Sequence, residues 1–391
     1  MRRWIVLLLV IALAIFALGC QGATKTQETT KATDEAKEPY KIGAVVSVTG
    51  PAAPLGEPEK KTLLMETEKI NEAGGINGHK IELFIEDDES NPANAATAVS
   101  KLIDEKGVIA ILGGTITPST MAMKTETAKT KTPHISMAAG VQITEAPNEW
   151  IFRTAQSDAV AVQKVIDYLS KSLKVKKFAI LHDSNGFGQS GADELQKRAP
   201  RAGLEVVATE KYNTEDANMT SQLTKIKGTA AEVVVVWGTN PGPARAAKNM
   251  KELGMTIPFV GSHGIANMKF IELAGDAAEG VVFPAGKIIV SSSASGEQAE
   301  VIEGFMSDYK AKYNEGANSF AGHAYDAFHI LVKALEKAGG DKEALRNAIE
   351  KTAGFNGISG IFTYNKDNHD GTNTSDMVMV EIKGGQWTEK K

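Results

Sequence analysis

Two short stretches of the chain carry groups that can bind a small anion. In the first, Thr115 and Thr117 follow the apolar run 108–112 and precede Pro118, a pattern that predicts a helix N-terminus capped by hydroxyl groups. The second stretch has almost no side chains and consists of Ala138, Ala139 and Gly140. Threonine hydroxyls, free backbone N–H groups and a helix N-terminus together suit a carboxylate. An ordinary crossover, in which these small residues only form turns, is an open alternative.

These two stretches are predicted to lie side by side. The run 108–112 is short and apolar without alternation, as a strand buried on both faces of a parallel sheet is, and residues 134–137 are predicted to begin the next strand. Consecutive parallel strands are usually neighbours, and open α/β sheets bind ligands at the carboxyl ends of their strands. We therefore expect Thr115 and Thr117 to share one site with the loop 138–140.

Signatures of catalysis are missing from the sequence. It has no phosphate loop that ends in Gly-Lys-Ser/Thr and no G-x-S-x-G elbow. Its seven histidines form no H-E-x-x-H pair, so we predict neither a metal site nor a cofactor. His182, Asp183 and Ser184 are the residue types of a hydrolytic triad, but sequence neighbours cannot converge as a triad must. The acidic run 86–89 is predicted to be solvated, with one member capping the next helix.

The rest of the chain alternates strand and helix patterns. Strands are predicted at 41–48, 80–86, 177–181, 204–209, 232–236, 258–261 and 281–290, with helices between them. The series begins afresh after residue 157, which predicts an α/β fold of two doubly wound, Rossmann-like domains. The loops TGPAAPLG, GGTIT, MAAG, DSNGFG, GTNPG and GSHG all follow predicted strands. Loops gathered in this way on two facing domains describe a cleft.

The N-terminus has the pattern of an export signal. An unbroken apolar run at 4–18 follows two arginines and is short for a membrane span of about 20 residues, but it suits a signal-peptide core. A small residue precedes Cys20, the only cysteine, so residues 1–20 are predicted to be a signal peptide with a lipobox that is lipidated at Cys20. Residues 21–39 are nearly devoid of apolar side chains and are predicted to be a disordered tether, with folding from Tyr40 onward.

Composition narrows the class of partner. The formal net charge is −5 and the sequence pI is near 5.9, so the chain lacks the basic footprint of a nucleic-acid binder. A hydrophobic fraction of 42% fits an ordinary globular protein. We expect a small-molecule ligand and no nucleic acid.

The loops and their order resemble the substrate-binding proteins of ABC importers in the branched-chain amino-acid class. The resemblance covers nearly everything from Tyr40 onward and rests on IGAVVSVTGPAAPLG, INEAGGINGHKIELFIEDDESNP, AILGG, HISMAAG, AYDAFHILVKALEKAGG and GFNGISGIFTYN. It implies a type I periplasmic binding protein, in which two domains joined by three hinge crossovers close over a small molecule without catalysis. Domain I would comprise residues 40–157 and 286–362, and domain II residues 158–285 and 363–391.

The resemblance also implies where the ligand carboxylate binds. In that family it is held on the first domain by a serine or threonine in the position of Thr117. Backbone and hydroxyl groups in the positions of Ala138, Ala139 and Gly140 complete that end of the site.

The remaining expected contacts include two departures from the family. Phe187 matches an aromatic residue of the second domain that covers the ligand, and Thr115 and Thr239 lie in the flanking loops. Leu55 stands where the family often has an aromatic residue, and His263 stands where it has an acid that binds the ligand's amino group. An alternative is that Glu215 or Asp216 replaces the missing acid.

The sequence therefore predicts an exported, lipid-anchored and monomeric solute receptor that partners ABC permease subunits in the membrane. Its ligand is predicted to be a small carboxylate. An amino acid fits the family, whereas His263 favours an aromatic or other non-amino carboxylate. The alternatives are a ligand sensor partnered with a signalling protein and a degenerate hydrolase.

Overall fold

Five parallel strands form the first of two sheets in the computed structural model, which describes residues 37–145 and 149–391. The predicted signal peptide, Cys20 and most of the predicted tether lie outside the described residues. The strands are β1 (Lys37–Val46), β2 (His79–Asp87), β3 (Ala110–Gly113), β4 (His134–Ser136) and β5 (Ile151–Arg153), in the spatial order β2-β1-β3-β4-β5. Helices α1 (Ala53–Glu72), α2 (Pro92–Asp104), α3 (Thr117–Lys129) and the short α4 (Gln142–Glu145) lie between them in the chain.

The second sheet begins with another alternating series. Its strands are β6 (Lys177–Asp183), β7 (Glu205–Tyr212), β8 (Val234–Trp237), β9 (Phe259–Gly261) and β10 (Val282–Gly286). The associated helices are α5 (Asp158–Asp167), α6 (Gly186–Arg198), α7 (Thr220–Lys227), α8 (Gly242–Glu252) and α9 (Met268–Ala274). All neighbouring pairs among β6 to β10 are parallel.

The last third of the chain contributes helices that pack on the first sheet and strands that extend the second. It contains α10 (Glu297–Tyr313), α11 (Ser319–Ala338), α12 (Lys342–Glu350), the two-stranded pair β11 (Phe355–Asn356) and β12 (Ile361–Phe362), and the strands β13 (Met377–Lys383) and β14 (Gln386–Glu389). Helix α11 packs on α1 and β3, whereas β13 and β14 extend the second sheet to the order β14-β13-β10-β9-β8-β6-β7. We call the first sheet with α1–α4, α11 and α12 the first lobe, and the second sheet with α5–α9 the second lobe.

The chain crosses between the lobes three times: after β5, after β10 and before β13. This α/β arrangement with two parallel-sheet lobes confirms the predicted fold class. Each lobe has its own apolar core. Leu112 and Phe328 are buried in the first, and Val236 and Phe283 in the second. Burying a side chain of this size stabilises the fold by about 1.5–3 kcal/mol.

Several element boundaries differ from the prediction. Strand β1 begins at Lys37, where it pairs with His79 of β2, so residues 37–39 belong to the fold and not to a tether. Helix α3 begins at Thr117 as its own N-terminal residue, and its N-cap is Ile116, which supplies no side-chain hydrogen bond. The cap before Pro92 is Asn91 rather than a member of the acidic run.

Two predicted loops are the first turns of helices. Helix α1 begins at Ala53 and α6 at Gly186, which places Leu55 and Phe187 on helices. Within the described residues, no helix is both long enough and apolar enough to span a bilayer.

Candidate functional site

A cavity between the lobes gathers most of the residues expected at the site. The empty space between its walls is about 440 Å³, counted with the space at its open side. Eight of the nine residues expected to bind ligand line it: Leu55, Thr115, Thr117, Ala138, Ala139, Phe187, Thr239 and His263. Gly140 does not line it, and the lining also includes Phe320 and His323, which the sequence analysis missed.

The lobes meet across the cleft beside this cavity. The backbone N–H of Val141 donates to Ser190 Oγ at 3.1 Å, and Gln142 Nε2 donates to the carbonyl of Gly186 at the same distance. These bonds join the loop after β4 and the start of α4, both in the first lobe, to α6 in the second. The two lobes are thus connected by hydrogen bonds across the cleft.

One end of the cavity is suited to an anion. Gly140 N–H donates to Thr117 Oγ1 at 3.1 Å, so the hydroxyl proton of Thr117 remains free to donate. The N–H of Ala139 has no hydrogen-bond partner among the described residues. Thr117 also begins α3, whose first amides lack partners within the helix and lie at its positive end. A carboxylate would accept hydrogen bonds from all of these groups.

Gly140 offers no polar group to a ligand, because its N–H and its carbonyl already form hydrogen bonds within the first lobe. Its N–H binds Thr117, and its carbonyl accepts a hydrogen bond of 2.6 Å from Arg153 Nη1. The same Nη1 donates to the carbonyl of Ala139 at 2.8 Å. Arg153 is fully buried and thus holds both carbonyls of the loop, which leaves the Ala139 amide for another partner.

The hydroxyl group of Thr115 forms two hydrogen bonds within the first lobe. Its hydroxyl accepts from the backbone N–H of Ser47 at 2.9 Å and donates to Glu59. Burial raises the pKa of Glu59 well above its usual value, although the hydrogen bond from Thr115 opposes this shift. Thr115 consequently shapes the cavity but does not offer a free proton as Thr117 does.

His263 forms part of the opposing wall in the second lobe. It begins a 3₁₀ segment after β9, where Ser262 caps the turn, and its ring lies edge-on to Phe187 at 5.5 Å and to Trp237 at 5.8 Å between centroids. Neither ring nitrogen makes a hydrogen bond of good geometry with a described residue, although the backbone of Gln156 lies close to the ring. Burial and the charge of Arg153 lower the pKa of His263 to about 4, and the contact with the Gln156 backbone opposes this shift. The ring is therefore neutral at physiological pH.

His323 adds a second imidazole from the first lobe. It lies on α11, and its Nδ1 is 2.8 Å from Ser359 Oγ. Burial and, to a smaller extent, the neighbouring His263 lower the pKa of His323 to about 3. The sequence signal for this residue was one histidine among the mostly apolar buried residues of α11. That signal alone cannot be distinguished from a structural histidine.

No carboxylate belongs to the cavity wall among the described residues. Glu215 is exposed and lies in a more open hollow outside the cavity, and Asp216 accepts from the backbone N–H of Asn213. Neither of the two proposed replacements for the missing acid lines the cavity. The described residues also contain no group of three or more His, Cys, Asp or Glu side chains that could hold a metal ion.

A glycine motif at the start of α6 was also missed. Residues 186–191 read GFGQSG, the G-x-G-x-x-G spacing, directly after β6. A Cβ on Gly188 would lie 2.0 Å from the carbonyl oxygen of Asp183, and one on Gly191 would lie 2.1 Å from Trp237 Nε1. Asn185 Oδ1 already accepts from the first helical amides at 3.0 Å. These glycines therefore serve close packing, and the helix N-terminus is not open to a phosphate.

Known proteins share this architecture. A family model described as periplasmic binding protein matches residues 39–386. A leucine-, isoleucine-, valine-, threonine- and alanine-binding protein of Pseudomonas aeruginosa is 29% identical over 80% of this chain and 83% of its own length. A Leu/Ile/Val-binding protein homolog of Brucella melitensis is 27% identical over 90% of this chain and 92% of its own length.

Solved structures agree with these relatives. An extracellular ligand-binding receptor from Rhodopseudomonas palustris superposes with a TM-score of 0.84, at 27% identity, over 90% of this chain and 99% of that one. A branched-chain amino acid transporter substrate binding protein from Streptococcus pneumoniae, in complex with isoleucine, gives a TM-score of 0.80 at 26% identity, over 90% of this chain and all of that one.

Proposed function

Because the chain belongs to the periplasmic binding protein family, we propose that it is the extracytoplasmic solute receptor of an ABC importer and binds a small carboxylate between its lobes. The family consists of substrate-binding receptors and not of enzymes, which removes the hydrolase alternative. The observation that carries the proposal is the anion-binding end of the cavity. There the hydroxyl proton of Thr117, at the start of α3, and the N–H of Ala139, in the loop after β4, have no partner among the described residues.

We further propose that the preferred ligand is an aromatic or other non-amino carboxylate. The relatives are named for branched-chain and other amino acids, whose ammonium group needs a negative partner. Here the cavity wall offers no carboxylate and two neutral imidazoles, His263 and His323. An ammonium buried without a charged partner costs several kcal/mol, and a neutral imidazole cannot cancel its charge.

Binding would close the lobes by rotation about the three crossovers. In this proposal residues 37–157 with 286–362 move against residues 158–285 with 363–391. The two bonds across the cleft, from Val141 to Ser190 and from Gln142 to Gly186, would hold the closed form that the permease subunits recognise. Export as a monomer that is lipid-anchored through Cys20 completes the proposal.

A thermal-shift screen of the mature chain tests the ligand class. The screen should contain the common amino acids, aromatic carboxylates and aliphatic carboxylates at equal concentration. A ligand present at roughly 100 times its dissociation constant adds about 2.7 kcal/mol to the free energy of unfolding. We expect the largest shifts from non-amino carboxylates. Submicromolar binding of leucine with no response to any aromatic acid would contradict the ligand class, and no response to any carboxylate would contradict the receptor proposal.

A further inference from the structure

We propose that His263 and His323 together bind a hydroxyl group, so that the ligand is an aromatic carboxylate with a hydroxyl on its ring. The inference rests on the proposed function, because it assigns the second polar end of a ligand whose carboxylate is bound beside Thr117. It goes further by naming the group that this end recognises.

The first argument is the unused hydrogen-bonding capacity of His263. The residue is only 7% exposed, yet neither of its ring nitrogens makes a hydrogen bond of good geometry with a described residue, and only the backbone of Gln156 lies close to the ring. Polar groups that are buried in proteins are normally paired, because leaving one unpaired is unfavourable. His263 lines the cavity, so a ligand within it can supply the missing partner.

The second argument is the position of His323 on the facing lobe. Its Nδ1 is committed to Ser359 Oγ at 2.8 Å, and its Nε2 has no partner among the described residues. His263 and His323 line the same cavity from opposite lobes. Closure therefore brings two neutral imidazoles, one from each lobe, to the same cavity.

Both histidines are connected to Gln156 in the first crossover between the lobes. Gln156, in the first crossover, donates from Nε2 to the carbonyl of Ser359 at 2.6 Å, and the Ser359 hydroxyl binds His323. The backbone of Gln156 in turn lies beside His263. A ligand group held by both rings would thus connect the lobes next to their hinge.

The chemistry of two neutral imidazoles favours a hydroxyl. Each neutral ring donates from one nitrogen and accepts at the other, while a hydroxyl donates once and accepts twice. A hydroxyl can therefore accept from one ring and donate to the other. An ammonium finds no negative partner here, and a second carboxylate would add a buried negative charge that only neutral donors face.

The remaining wall favours a flat ring between the two polar ends. Leu55, Ile116, Phe187 and Phe320 contribute apolar surface, and the backbone of Gly264 lies close against Phe187. Aromatic side chains pack well against a ligand ring, in offset or edge-on contact. A ring with a carboxylate at one position and a hydroxyl at another matches this arrangement.

Calorimetric titration of matched ligand pairs tests the inference. The pairs are benzoate with 3- and 4-hydroxybenzoate, phenylacetate with 4-hydroxyphenylacetate, and 3-phenylpropionate with its 4-hydroxyphenyl analogue. For at least one pair we expect the hydroxylated member to bind about 10-fold more tightly or better, since one well-made hydrogen bond in a closed site is worth about that factor.

Two variants identify the groups responsible. His263→Phe removes both ring nitrogens, which make no hydrogen bond of good geometry with the described residues and only a weak contact with the Gln156 backbone, so its unliganded melting temperature should fall little. His323→Asn keeps a polar atom at the position of Nδ1 for Ser359 and removes Nε2. Each should reduce the preference for the hydroxylated member to less than about 3-fold. His79→Phe, at a ring that stacks on Tyr40 and does not line the cavity, is the matched control and should leave the preference intact.

The outcomes separate the inference from the proposed function. Equal affinities within every pair that binds, or a preference that survives in His263→Phe, would overturn the hydroxyl site while the receptor proposal stands. Binding of amino acids or aliphatic carboxylates alone would do the same. Failure of every carboxylate to bind the folded wild-type chain would overturn both.

Discussion

Arg153 and Asp370, 217 residues apart in the sequence, form an ion pair behind the loop that presents the Ala139 amide. Arg153 Nε lies 3.0 Å from Asp370 Oδ1, and the Arg153 side chain is completely buried. Although burial alone would raise it, the Arg153 charge and several hydrogen bonds hold the pKa of Asp370 below its usual value. Because Arg153 also binds the carbonyls of Ala139 and Gly140, the pair connects the third crossover to the anion-binding end of the cavity.

Asp370→Ala should therefore weaken both the fold and the site. Removing one partner leaves a buried guanidinium without its counter-charge, which costs about 3–5 kcal/mol. Urea denaturation should give the loss of stability, and calorimetry a reduced carboxylate affinity. The contribution of the carboxylate is present at neutral pH and is lost as the pH falls through the lowered pKa of Asp370. Asp367→Ala, at an exposed acid in the same segment, should change neither quantity, and an equal effect there would refute this account.

Thr117→Ala should weaken carboxylate binding about 10- to 100-fold. The hydroxyl proton of Thr117 is the free donor at the anion-binding end, and a hydrogen bond to a charged group is worth roughly 1.5–3 kcal/mol. Thr117→Ser keeps the hydroxyl and should retain most of the affinity. Calorimetry on the two variants provides the comparison, and an unchanged affinity in Thr117→Ala would exclude the side chain from the site.

His263→Glu should shift the ligand preference towards amino acids. The new carboxylate would pair with a ligand ammonium and would repel a second anionic or electron-rich group. We expect leucine, isoleucine or valine to gain at least about 10-fold in affinity, which corresponds to about 1.4 kcal/mol. His263→Gln has nearly the same size without the charge. If it produced the same gain, the effect would be one of shape and the electrostatic argument would be wrong.

Asp158→Asn should stabilise the protein increasingly as the pH rises. Asp158 Oδ1 accepts from Trp237 Nε1 at 3.0 Å, and burial raises the pKa of Asp158 to about 7 in spite of this bond. A raised folded-state pKa means that the wild type loses stability as the pH rises from about 4 to 7, by at most about 4 kcal/mol. The asparagine keeps the acceptor and cannot ionise.

Melting temperatures measured from pH 5 to pH 8 check this dependence. The difference between Asp158→Asn and wild type should grow over that range and level off above pH 7. Asp167→Asn, at a partly exposed acid on the same helix, is the control and should show no such trend. A constant difference for Asp158→Asn at every pH would contradict the prediction.

Cys20→Ser should release the protein from the membrane or leave it unprocessed. Cys20 lies outside the described residues, and the prediction rests on the apolar run 4–18 and the small residue before the cysteine. Fractionation with mass spectrometry of the N-terminus provides the measurement. A variant that is still membrane-bound, with a normally cleaved and acylated terminus, would rule out lipid anchoring at Cys20.

Much of the fold could be predicted because it depends on local pattern. Strand β4 begins at His134 as expected, and α3 begins at Thr117, one residue from the expected position, since an apolar run and a proline in the first helical turn are properties of a few adjacent residues. The observed element boundaries differ from the predicted ones where a residue distant in the sequence determines them. Strand β1 starts at Lys37 because His79 of β2 lies opposite it.

The fold class, the family resemblance and the small residues of an anion-binding loop could be predicted from the sequence alone. The use of these groups depends on the tertiary structure. Gly140 offers no polar group to the cavity, because Thr117 and Arg153 already bind its N–H and carbonyl, and His323 lines the cavity because α11 packs on α1 and β3. Hydrogen-bond partners and burial depend on residues from separate elements of the chain, whereas strand and helix patterns depend on sequence neighbours.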